Sequence, residues 1–154
     1  MIAQVRDAPL QKLVFGVGIS TDEGRTWALH GAVEAPNWAL ENMIIEREDG
    51  TLLMYSRGGG GVMWQCISED RGFTWGPVTS TEVPNPGSRF FLRRLASGQW
   101  LLLNNPDPEA RTGLTAHLSA DEGRTWGPGL FLDEREQVSY PDAAQAADGT
   151  IYAV

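Results

Sequence analysis

The stretch Ser20-Thr-Asp-Glu-Gly-Arg-Thr-Trp27, STDEGRTW, returns as SEDRGFTW at Ser68–Trp75 and again as SADEGRTW at Ser119–Trp126. The aspartates Asp22, Asp70 and Asp121 of the three copies lie 48 and 51 residues apart. A period near 50 is that of a repeat array, and the blades of a β-propeller run about 40–50 residues each. A second marker keeps a similar step: Asp49-Gly50, Ser97-Gly98 and Asp148-Gly149. Such dipeptides close β-hairpins, because glycine supplies the positive φ that the turn needs.

Short strand-like runs fill the space between the markers. WALENMIIERE leads into Asp49-Gly50 and TLLMYSR leaves it; VMWQCIS leads into the second octet and WGPVTSTEV leaves it. Those are the four strands a, b, c and d of one blade. FFLRRLA, QWLLLNN, GLTAHLS and WGPGLFLD repeat the scheme. KLVFGVGIS and WALHGAVEA read as a preceding c and d, and VSYPDAAQA and TIYAV as a following a and b. No helical periodicity extends beyond one or two turns. The expectation is an all-β protein with a half blade at 10–36, blades at 39–84 and 88–133, and a half blade at 137–154. Twelve strands are three blades' worth, whereas closed propellers have at least about four blades. The chain is therefore expected to be part of a longer propeller, or to complete itself with a second copy. The open strand edges imply self-association.

The octet reads as the c–d turn. Aspartate accepts bonds from turn N–H groups, Gly takes the left-handed position, Ser or Thr adds a local bond, and the Trp ring is expected to pack in the core. The Asp/Glu spacing lacks the ligand ladder of a calcium loop.

Composition narrows the partners. A net charge of −8 argues against nucleic acid, which is bound through basic surfaces that displace counterions. An anionic small ligand needs a local cation cluster working against the overall field. The single Cys66 forms no internal disulfide and, in the run VMWQCIS, reads as a small buried residue. His30 and His117 are isolated, and no Cys/His spacing suggests zinc; no metal or cofactor is expected. The Gly58–Gly61 run lacks the Lys-Ser/Thr of a phosphate loop. No apolar run approaches the roughly 18 residues of a membrane span. No basic-then-apolar leader opens the sequence, and the compartment stays open.

Strand order places the chemistry. The a–b and c–d turns share one end of each blade, so a site at the other end draws on starts of a, ends of b, and b–c loops. Glu41 is near the start of an a strand and Arg57 near the end of a b strand. Arg111 is in a b–c loop, and Tyr140 heads the last a strand. Asn104 and Asn105 end a b strand and are expected to reach a bound ligand at that end. Asp142 is two residues from Tyr140, and period-two alternation would put both on one face. Arg89 and Arg93 are candidates either to line the channel or to pair with acids.

The octet S-x-D-x-G-x-T-W resembles the Asp-box of the sialidase superfamily, the BNR-repeat β-propellers, which are six-bladed when complete. The segments NPGSRFFLRRL and VSYPDAAQAADGTIY are similar to those of a group of bacterial sialidase-like proteins. ENMIIEREDGTLLMYSR resembles the family segment in which a Glu opens one strand and an Arg closes the next, here Glu41 and Arg57. A further family Arg just upstream of a later Asp-box matches Arg111 in RTGLTAHLSADEGRTW. The family's tyrosine nucleophile matches Tyr140.

The resemblance implies an exo-glycosidase acting on terminal sialic acid or a related acidic sugar. Tyr140 would be the nucleophile and Glu41 its base, Arg57 and Arg111 would clamp the carboxylate, and Asn104 and Asp142 would contact the sugar. A carboxylate nucleophile would be repelled by the substrate's own carboxylate, and sialidases depart from the two-carboxylate scheme through a Tyr. A free phenol titrates near roughly 10, so it needs a base within reach. The family's third arginine, in an Arg-Ile-Pro-like segment, and its Asp general acid find no match here; Val5-Arg6-Asp7 is not that motif. The 154-residue chain alone is therefore expected to be nearly inactive. The alternative reading is a propeller that binds an acidic glycan without cleaving it.

Overall fold

The computed structural model describes residues 4–7, 12–35 and 38–154; residues 10, 11 and 36 of the expected first half blade lie outside it. Among the described residues there are thirteen β-strands and no helix. They are β1 (Gln4–Asp7), β2 (Lys12–Ile19), β3 (Ala28–Glu34), β4 (Ala39–Glu46), β5 (Leu52–Gly58), β6 (Val62–Ser68), β7 (Thr79–Pro84), β8 (Phe91–Arg94), β9 (Trp100–Asn104), β10 (Leu114–Ser119), β11 (Leu130–Asp133), β12 (Ala143–Gln145) and β13 (Ile151–Ala153). They form two four-stranded sheets, β4-β5-β6-β7 and β8-β9-β10-β11, a three-stranded sheet β1-β2-β3 and the hairpin β12-β13. The all-β expectation holds. β1 is a strand that the sequence pattern did not signal; it pairs antiparallel with β2 from Gln4↔Phe15 to Asp7↔Lys12.

The three aspartyl or seryl glycine dipeptides close three hairpins alike. Gly50, Gly98 and Gly149 have φ of 83°, 87° and 91°. Each donates its N–H to the carbonyl three residues back, Arg47, Leu95 and Ala146, at 2.9–3.0 Å. In the first and third, the Asp49 and Asp148 carboxylates also accept the N–H of Thr51 and Thr150.

The three octets are three copies of one hydrogen-bond net. In the first, Ser20 Oγ donates to Asp22 Oδ1 (2.8 Å), and Asp22 accepts from the Thr26 N–H (2.8 Å) and hydroxyl (2.6 Å). Ser68, Asp70 and Thr74, and Ser119, Asp121 and Thr125, repeat these contacts. The residues before the glycines, Glu23, Arg71 and Glu122, are themselves left-handed (φ 59–61°). The carboxylate satisfies turn N–H groups that no strand partner reaches. These bonds hold the Asp22 and Asp121 carboxyls down at about 2, with the Thr26 and Thr125 hydroxyls the largest cause, and lower Asp70 in the same way.

The tryptophans do not all enter the core as expected. Trp27 is 60% exposed and caps its own turn, donating Nε1–H to the Gly24 carbonyl. Trp75, half-buried, makes the same bond to Gly72 and also packs on a core of Phe15, Val17, Val33, Met54 and Cys66. Trp126 is half-buried as well.

The chain divides into two compact units, one running up to Ser56 and including Trp64–Ser80, the other comprising Arg57–Met63 and Thr81–Val154. The core just named belongs to the first. The second is built on β9, WLLLN, buried along its whole length. Such a strand, covered on both faces, reads as an unbroken apolar run rather than an alternating one. β11 is exposed through Leu130, Phe131 and Leu132.

Candidate active site

Arg57, Arg111 and Tyr140 come together in the second unit. The Arg57 guanidinium carbon lies 5.6 Å from the Tyr140 ring centroid and that of Arg111 5.8 Å from it. Both are within the roughly 6 Å of a cation–π contact. Arg57 is only 7% exposed, and its Nη1 donates to the Gly87 carbonyl at 3.0 Å. The Tyr140 ring is 46% exposed. Two guanidiniums against an exposed tyrosine put planar donors suited to an anion beside the Tyr140 ring.

Local bonding explains why these three residues meet. Arg57 is the next-to-last residue of β5, and the glycine run that follows is anchored where the Asn85 N–H donates to Gly61 O at 2.9 Å. Arg111 sits in the loop between β9 and β10. That loop is started by Asp107, whose carboxylate caps the N–H groups of Glu109 and Ala110 and is lowered in pKa by them. The Arg111 carbonyl accepts the Gln137 N–H at 2.7 Å. The loop bearing the arginine is thereby tied to the segment bearing the tyrosine.

Tyr140 has φ 69°. A left-handed backbone at a residue with a side chain costs about 1–2 kcal/mol. Six residues other than glycine are left-handed among those described: Glu23, Glu41, Arg71, Glu122, Gln137 and Tyr140. Three belong to the octet turns. Of the rest, two are Tyr140 and Glu41, the residues assigned by resemblance as nucleophile and base. Strain of this kind concentrates at functional sites. Glu41 lies in the first unit, the third residue of β4, half-buried, with φ 37°.

The other predicted residues fare differently. Asn104 is buried (1% exposed) and donates its amide to the carbonyls of Pro84 (2.8 Å) and Asn105 (3.3 Å), so it braces the chain where a rim contact to sugar was expected. Asn105 is fully buried and donates to the Val138 carbonyl at 2.9 Å. Asp142 is exposed; its carboxylate accepts the Ala143 N–H, and its backbone pairs with Val154. β12 begins only at Ala143. The two-residue alternation invoked to pair Asp142 with Tyr140 therefore does not apply across a left-handed residue. Arg89 donates Nη1–H to the Pro141 carbonyl at 3.0 Å.

Sequence reasoning missed Asn85 and Ser88. Both are fully buried; the Ser88 N–H donates to Asn85 Oδ1 and the Ser88 hydroxyl to Asn105 Oδ1, each at 2.9 Å. The polar NPGSR run beside a strand was the available signal. No group of three or more metal-ligating side chains gathers among the described residues.

Comparison with known proteins places the fold. The chain resembles the Hadza microbial sialidase Hz136 with a TM-score of 0.78 and 25% identity, over 92% of this chain and 29% of that one. It resembles the NanB sialidase from Streptococcus pneumoniae with a TM-score of 0.71 and 18% identity, over 97% and 26%. It also resembles the intramolecular trans-sialidase from Ruminococcus gnavus, solved in complex with oseltamivir carboxylate, with a TM-score of 0.67 and 22% identity, over 97% and 37%. The chain thus spans under two fifths of the length of each. No curated protein matches. The sheets are those of the sialidase β-propeller fold, and the model of the BNR repeat-like domain matches residues 11–153, so the chain belongs to the sialidase-like BNR-repeat superfamily.

Proposed function

We propose that this chain carries the nucleophilic half of the active site of a retaining exo-glycosidase acting on terminal sialic acid or a related acidic sugar. The observation that supports it most is Tyr140, a strained and accessible phenol lying beside two guanidiniums.

Arg57 and Arg111 grip the sugar carboxylate, each through planar N–H donors suited to two parallel bonds. That holds the anomeric carbon against the tyrosine oxygen. As the bond from Tyr140 Oη to the anomeric carbon forms, a base takes the phenolic proton, the part that the family resemblance gives to Glu41, and the bond to the leaving oxygen breaks. A proton donor outside the residues assigned in this sequence serves the leaving oxygen. Water then displaces the tyrosine and gives its proton to the group that had served the leaving oxygen, the base returns the phenolic proton to Tyr140, and configuration is retained after two inversions. Asp142, exposed at the head of β12, is proposed to contact the sugar, and Asn104 to support the site from below.

Turnover of a fluorogenic sialoside by the natural protein bearing this sequence tests the reading. Activity that disappears in Tyr140→Phe supports it. Saturable binding of the sugar with no turnover in the unaltered protein replaces it with the binding-module reading.

A further inference from the structure

Tyr140 is left-handed, yet the residues on both sides of it are held by side chains from elsewhere in the second unit. Two residues before it, the Val138 carbonyl accepts Asn105 Nδ2 at 2.9 Å. One residue after it, the Pro141 carbonyl accepts Arg89 Nη1 at 3.0 Å, and Pro141 is itself buried. Asn105 cannot turn away, since its Oδ1 accepts the Ser88 hydroxyl at 2.9 Å and its amide also reaches the Thr112 carbonyl at 3.3 Å. Ser88 is pinned by Asn85 Oδ1 at 2.9 Å. Between them, left-handed Gly87 (φ 73°) turns its carbonyl to Arg57 Nη1 at 3.0 Å. Asn85, Gly87, Ser88 and Asn105 are all buried.

From this we infer that the Asn85–Arg89 segment is a positioning brace that sets the Tyr140 ring and the Arg57 guanidinium in one fixed relation. Arg89 holds the tyrosine through the Pro141 carbonyl, and Ser88–Asn105 through the Val138 carbonyl. Arg89 is a positioning residue: its bond goes to the backbone beside the phenol. A buried polar net in which each member fixes the next is rigid, because releasing any one strands a polar group away from water. A rigid net can maintain a backbone conformation that the tyrosine would leave if released. The catalytic importance of the brace rests on the glycosidase reading; its geometric claim does not, and the test reads the two separately.

The 154-residue protein is labelled with 3-fluorotyrosine and its fluorine NMR spectrum recorded. It has three tyrosines: Tyr55, buried; Tyr152, exposed; and Tyr140, identified by its loss in Tyr140→Phe. In the unaltered protein Tyr140 gives one sharp line displaced from that of an unfolded chain. In Arg89→Met that line moves toward the unfolded position and broadens while Tyr55 holds. In Arg89→Lys, which keeps a donor near the Pro141 carbonyl, it largely returns. Where the natural protein turns over a sialoside, Arg89→Met lowers kcat by about 100-fold, the scale of a nucleophile displaced by about 1 Å, with KM little changed. An unaltered protein whose Tyr140 line already sits at the unfolded position overturns the brace, and so does an Arg89→Met line that stays in place. Should Arg89→Met move the lines of all three tyrosines, Ser88→Ala decides, with Tyr140 alone shifting if the brace is real and Tyr140 unmoved if it is not. Absence of turnover in every form counts against the glycosidase reading and leaves the spectroscopic outcome to judge the brace.

Discussion

The Arg57 guanidinium carbon stands 5.6 Å from the centre of the Tyr140 ring, although 83 residues of sequence separate the two. Arg57 is held at one end of β5 by the Gly87 carbonyl, and Tyr140 by a left-handed backbone ahead of β12. Each arrives from its own hairpin, and their meeting defines the candidate site.

Arg57 is expected to select charge. Arg57→Lys keeps the cation but loses the planar fork, so affinity for sialic acid falls by about tenfold, roughly 1.4 kcal/mol. Affinity for a neutral hexose does not change. Titration calorimetry on both sugars checks this; equal losses for the two would mean that Arg57 serves only to hold Gly87.

Acid should loosen the octet turns. The Asp22 and Asp121 carboxyls are lowered to about 2 from 3.8, chiefly by the Thr26 and Thr125 hydroxyls. A depressed carboxyl contributes stability above the unfolded value, and that contribution is lost as pH falls through the folded one. Thermal unfolding temperature should therefore drop between about pH 4 and pH 2. Asp133, brought to about 2 by its bonds from Arg135, adds to the same window, as do the lowered Asp70, Asp107 and Asp148. Asp121→Asn should be less stable at pH 7 and flatter from pH 4 to 2. An unchanged slope would show that the net contributes nothing.

Cys66 should be inert while the protein is folded. It is 2% exposed, and burial pushes its thiol up to about 12. Only the thiolate attacks, so a disulfide reagent at pH 8 should label it at the rate of unfolding. Labelling as fast as a free thiol would contradict its place in the core.

Gly31 should not tolerate a side chain. It has φ 64°, and a Cβ there would meet Trp75 Cδ1 at 2.5 Å. Gly31→Ala combines backbone strain with overpacking and should cost about 1–3 kcal/mol, read from urea unfolding. A cost near zero would mean that Trp75 can move aside.

How much of this was legible in the sequence depends on the range of each interaction. The octets and the Asp49-Gly50 and Asp148-Gly149 hairpins were legible because their bonds close within two to four residues. Strand order assigned Glu41, Arg57, Arg111 and Tyr140 to the same end of their blades; it could not foretell that the Arg57 and Arg111 guanidiniums lie against the Tyr140 ring. The brace was not legible: Ser88 to Asn105, Asn105 to Val138 and Arg89 to Pro141 span 17, 33 and 52 residues. Asn104 and Asn105 looked like rim residues because they end a strand, but the packing around them puts both inside. Trp27 shows the same limit, since the same S-x-D-x-G-x-T-W pattern leaves Trp27 exposed and half-buries Trp75, which packs on the core.

The proposed chemistry stands or falls with a bond between the Tyr140 oxygen and the sugar. The direct measurement is to treat the natural protein bearing this sequence with a fluorinated sialosyl fluoride, whose ring fluorine slows release of the intermediate, and to locate the added mass by peptide mapping. One sugar per chain is expected, attached at Tyr140 and absent from Tyr140→Phe. A sugar attached at another residue, or turnover that persists undiminished in Tyr140→Phe, would contradict it.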